Sequence, residues 1–106
     1  MNNIIQYAFV SKEQIATHYI KVFKNGGMFI PGNTQYHIGD VVFLVLQIPG
    51  EDAIAVNGTV AWYNSESRSS HNGIGVQFLY DKSGKDAKTK IECLITNIGI
   101  DSVHVL

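Results

Sequence analysis

Two stretches of the chain alternate apolar and polar residues with the two-residue period of a half-buried strand. In Ile54 to Tyr63, one face carries Ile54, Val56, Gly58, Val60 and Trp62, and the other carries Ala55, Asn57, Thr59, Ala61 and Tyr63. In Gly73 to Tyr80, Ile74, Val76, Phe78 and Tyr80 share a face. Val41 to Ile48 reads Val-Val-Phe-Leu-Val-Leu-Gln-Ile, apolar on both sides, which predicts a strand covered twice. Ile4 to Val10, with Tyr7 and Phe9, predicts a first strand, and Met28-Phe29-Ile30 predicts a short one stopped by Pro31. Asn25-Gly26-Gly27, Gly39-Asp40 and Pro49-Gly50 mark turns, and the serine-rich run Asn64 to Asn72 predicts a mobile hairpin loop.

Helical signals occur twice. Ser11 followed three residues later by Gln14 is a capping-box pattern, so a short helix to about Tyr19, or a loop with one helical turn, is expected. Ser83 with Asp86 gives a similar pattern, and Ala87, Ile91, Leu94, Ile95 and Ile98 follow at helical spacing before Gly99. This predicts a C-terminal amphipathic helix over about 84–98 whose stripe covers the second face of the Val41–Ile48 strand. The expected architecture is mainly β: a small barrel over about 4–80 closed by that helix, then a tail at 99–106.

The chain has 106 residues, too few for two self-sufficient cores, so one domain spanning 1–106 is expected. Eight basic residues against nine acidic ones give a net charge of -1, and Arg68 is the only arginine. That balance argues against a nucleic-acid partner, because phosphate contacts demand a basic excess. Phe43, Trp62 and Phe78 fall at positions that suit burial and no cations interleave with them, so no base-stacking face is predicted.

No run approaches the roughly 18 apolar residues of a membrane helix, so no membrane insertion is expected. No basic leader opens the chain, and a cytoplasmic location is expected. Cys93 is the single cysteine, which excludes an intrachain disulfide, and its place among apolar helical positions predicts packing rather than nucleophilic chemistry. His18, His37, His71 and His104 do not pair with one another or with Cys93 at metal-ligand spacing. Neither a nucleophile elbow nor a phosphate loop occurs, and Glu51 and Asp52 beside Pro49-Gly50 read as a solvated tip. The reading is a binding domain without catalytic residues, metal or cofactor.

Two ordered sets of residues carry a family resemblance. The first is Tyr19-Ile-Lys-Val-Phe-Lys-Asn-Gly-Gly-Met-Phe-Ile-Pro31 followed by Tyr36-His-Ile-Gly-Asp-Val-Val-Phe-Leu-Val-Leu46. The second is Val56-Asn-Gly-Thr-Val-Ala-Trp62 followed by Gly73-Ile-Gly-Val-Gln-Phe78. Together they resemble the PilZ domain family from about Ile4 to Ile98, and within it the founding branch of single-domain type IV pilus assembly proteins. The resemblance implies a six-stranded antiparallel barrel with a C-terminal helix, and a role in pilus biogenesis and twitching motility.

Most members of that family receive the second messenger cyclic di-GMP through an Arg-x-x-x-Arg segment and an Asp/Asn-x-Ser-x-x-Gly turn. Guanidinium groups grip the phosphates and stack on guanine, and small polar groups of the turn hold a base edge. Here no arginine precedes Gly27; Val22 stands at the Asp/Asn position and Lys24 at the Ser position, so only Gly27 of the turn signature is kept. The pilus branch shares this loss. The resemblance therefore implies a protein–protein adaptor, with the hexameric pilus extension ATPase and an EAL-domain, cyclic di-GMP-binding protein as partners. The alternative is a cyclic di-GMP receptor with an atypical site. Tyr19, Val22 and Phe23 are the candidate contact residues, since aromatics are enriched at interface hot spots; the competing reading has them closing the barrel mouth.

Overall fold

The computed structural model describes residues 3–32, 35–64 and 72–97. Residues 65–71 of the expected hairpin loop, Ile98 of the helical stripe, His104 and the tail 99–106 lie outside the described residues. In chain order the elements are β1 (Ile4–Ala8), α1 (Lys12–His18), β2 (Gly27–Pro31), β3 (Val41–Gln47), β4 (Ile54–Asn64), β5 (Gly73–Phe78) and α2 (Lys82–Asn97).

The strands form one curled, five-stranded sheet in the order β1-β3-β4-β5-β2, a half-barrel sealed by α2. The expected mainly β barrel with a C-terminal helix is present. Its count is five strands among the described residues rather than six, and β1 pairs parallel to β3 rather than antiparallel. A parallel pair needs a long crossover, and α1 with β2 supplies it. Among the described residues, the sheet edge beyond β2 is extended by a single bridge, Tyr19 to Met28.

The inner face of the sheet holds the core: Ile5, Met28, Val42, Leu44, Leu46, Val56, Val60, Val76 and Phe78, joined by Ile15 of α1 and by Ala87 and Ile91 of α2. Fully burying one such aliphatic side chain stabilises by roughly 1.5–3 kcal/mol, so Ile15 and Ile91 anchor both helices. α1 forms as a helix and not a loop: Ser11 Oγ accepts from the Gln14 N–H at 3.2 Å, and Gln14 Oε1 accepts from the Val10 N–H at 2.8 Å.

Four sequence expectations are corrected. The second face of β3 is not covered by α2, because the helix stripe seals the open end of the same interior that β3 already faces; Val41 is left 56% exposed and Phe43 36%. Trp62 is not in the core: the β4–β5 register shifts between Val60 and Trp62, and this bulge turns the indole outward. There it stacks on Phe29, ring centroids 5.8 Å apart, and lies so close over Gly75 that a side chain at that position would collide with it. Tyr80 lies beyond β5 and is exposed, and Cys93 faces solvent.

The cap of α2 also differs. Asp81, two residues before Ser83, starts the helix: its Oδ1 accepts from the Gly84 N–H and the Ser83 hydroxyl, each at 2.8 Å. These bonds hold the Asp81 carboxyl below its usual range, the Gly84 N–H contributing most. Ser83 Oγ in turn accepts from the Asn57 N–H at 3.2 Å, which docks the helix start onto β4.

Candidate functional site

Between α1 and β2 the chain makes a tight loop whose ends are tied together. The Tyr19 N–H donates to the Ile15 carbonyl at 2.9 Å and closes α1; the Ile20 N–H donates to the Gly27 carbonyl at 2.9 Å and closes the loop. Inside it, the Gly26 N–H donates to the Phe23 carbonyl at 3.0 Å, with Gly26 at φ 79°, a conformation that glycine adopts without strain. The Gly26 carbonyl accepts from the Phe78 N–H at 3.0 Å, so the loop is fixed to the end of β5 as well.

The sequence-selected residues Tyr19, Val22, Phe23, Lys24 and Gly27 all lie on this loop, but their side chains do different things. Tyr19 crosses Gly26, packs against the core and donates its hydroxyl to Glu92 Oε2 of α2 at 2.7 Å. Burial first, then Glu92, pushes the Tyr19 hydroxyl well above its usual titration range. The same hydroxyl, followed by Lys88, whose Nζ donates to Glu92 Oε2 at 3.0 Å, holds the Glu92 carboxyl below its usual range. Phe23 is half-buried with its ring against Gly27. Val22 is 85% exposed, and Lys24 is also exposed.

A side chain on Gly26 would meet Tyr19 Oη at 2.7 Å, and one on Gly27 would run into the Phe23 ring. The two rings therefore already occupy the ground above the glycine turn. Beside it, a cavity of about 200 Å³ opens between the loop and α2, lined by Lys24, Asn25, Leu79, Tyr80, Lys85 and Lys88. The sequence reading missed this contribution from α2. The available signal was Lys85 and Lys88, three residues apart on the helix and therefore neighbours on its surface.

Among the described residues, no three histidine, cysteine, aspartate or glutamate side chains converge as a metal site, and no helix is long and apolar enough to cross a membrane. A half-barrel closed by one helix, with a rigid glycine turn and a small cleft at its rim, is the frame of a small binding domain. The sequence matches the PilZ domain across residues 1–97, and the chain belongs to that family. Its members are cyclic di-GMP-binding and adaptor domains, not catalysts. No curated protein matches the chain closely enough to count as a relative.

Proposed function

We propose that this domain is a cytoplasmic adaptor of type IV pilus biogenesis and twitching motility. It acts by binding the pilus extension ATPase, an EAL-domain cyclic di-GMP-binding protein, or both, without binding the nucleotide itself. The observation that carries this reading is the turn before β2. Where the family's receptors present polar ligand groups, this chain presents Val22 and Lys24, and Tyr19 and Phe23 lie over the glycines. Two lysines or three at the rim do not reproduce the bidentate, stacking guanidinium grip on a dinucleotide.

Within the loop, Val22 and Phe23 are the contact residues this reading favours, with Val22 offering its whole side chain to a partner. Tyr19 positions the loop through Glu92. Truncating an interface anchor commonly costs about 2 kcal/mol, or roughly thirtyfold in affinity.

The experiment is retention of each purified partner on the immobilised domain, with Val22→Ala and Phe23→Ala alongside. Retention of the ATPase or the EAL-domain protein, weakened by Val22→Ala at an unchanged melting temperature, supports the adaptor. Failure to retain either partner, alone or together, removes it.

The second reading, a cyclic di-GMP receptor with an atypical site, is favoured by one observation only, the three lysines that line the cleft beside the turn.

A further inference from the structure

We propose that the cleft between the glycine turn and α2 takes an acidic protein segment, in which one apolar side chain enters the cleft and flanking carboxylates meet its lysines. This rests on the adaptor reading and names the chemistry of the surface recognised. The chain as a whole is slightly acidic, yet Lys24, Lys85 and Lys88 converge on one cleft from two separate elements. Among the described residues the only carboxylate bonded to any of them is Glu92, on Lys88. Lys24 and Lys85 take part in no ion pair among the described residues, so two cations remain free to attract a partner's anions. Lys85 is held in place by a neutral group instead, its Nζ lying 4.5 Å from the centre of the Tyr80 ring.

The floor distinguishes among acidic ligands. It is made by Leu79 and the Tyr80 ring, and Asn25 is the one amide side chain on the lining. Lysines attract phosphate as point charges, but strong phosphate sites add converging backbone N–H groups or guanidinium forks. Here the nearby Gly26 N–H is spent on the Phe23 carbonyl. Nucleobases need an open ring face on which to stack, and Lys85 lies over the Tyr80 ring. An apolar floor inside a cationic rim fits an aliphatic side chain with carboxylates on both sides, the arrangement in which apolar contact gives affinity and charge gives orientation.

The test uses the full chain, isotopically labelled, titrated with the blocked peptide Asp-Glu-Leu-Glu-Asp and followed by amide chemical shifts. The expected result is saturable shifts concentrated at Asn25, Leu79, Tyr80 and Lys85, weakening as salt is raised. The Lys24→Glu/Lys85→Glu variant, altered only at exposed positions and checked by its melt, should lose affinity by about tenfold or more. Equal shifts with inorganic phosphate, or with the same peptide carrying alanine for leucine, would overturn the proposal in favour of a plain anion site. Unchanged binding by the charge-reversed variant, or shifts scattered over the surface, would also overturn it. The adaptor reading is scored separately on the same proteins. Peptide binding without retention of either partner upholds the cleft and removes the adaptor. Full partner retention by the variant, with no peptide binding by the parent chain, does the reverse.

Discussion

The Tyr19 hydroxyl reaches across Gly26 to donate to Glu92 at 2.7 Å, joining the end of α1, the glycine turn and the middle of α2 in one contact. Tyr19→Phe keeps the ring and removes that bond. A hydrogen bond to a half-exposed carboxylate contributes about 1 kcal/mol, so a drop of that order in unfolding free energy is expected. The linkage has a definite sign. Glu92 is depressed in the folded state, so its contribution is present above the ordinary glutamate range and is lost as pH falls through the folded value. Denaturant midpoints of Tyr19→Phe and the parent chain should therefore differ at neutral pH and draw together in acid.

His18 gives a second pH dependence at higher pH. Its ring packs edge-on against Phe9 and Phe29, with centroids 5.8 and 5.6 Å away, and its Nδ1 is buried without a hydrogen-bond partner. Burial is the main cause that lowers its titration, only partly offset by the nearby Phe29 backbone. Below a pH of about 6.5 the unfolded chain then binds more protons at this site than the folded one. This contribution is intact above the ordinary histidine value and is lost as pH falls toward the folded value. Urea midpoints should decline from neutral pH into the mildly acidic range, and His18→Phe should flatten that decline. An unchanged slope in the variant would remove His18 as its source.

Gly84 lies inside the first turn of α2, where alanine normally stabilises a helix by about 1 kcal/mol over glycine. A Cβ at this position would be driven into the Leu79 carbonyl oxygen. Gly84→Ala is therefore expected to lower the melting temperature despite its better helix propensity. A rise in melting temperature would show that the junction between β5 and α2 yields easily.

Much of this architecture was legible because burial and period agree. Ile54, Val56, Gly58 and Val60 alternate in the sequence and are buried in the fold, and Ala87 and Ile91 mark the buried side of α2. The failures have local causes. One extra residue, Ala61, reverses the outlook of Trp62, and a period of two cannot foresee a bulge. Val41 and Phe43 are as apolar as their buried neighbours, so composition could not tell that the outer face of β3 stays open. The loop residues of the candidate site were chosen from the sequence, while its other wall was not. Lys85, Lys88 and Glu92 lie far along the chain from Tyr19 and Lys24, and only the packing of α2 brings them together.

The central claim is that this member of the family works through protein contacts and not as a nucleotide receptor, and calorimetric titration of the purified chain with cyclic di-GMP tests it most directly. With Val22 and Lys24 in the turn, no arginine before Gly27, and the Tyr19 and Phe23 rings over the glycines, the account predicts no saturable heat at micromolar concentrations. Saturable heat with one or two ligands bound per chain would contradict it.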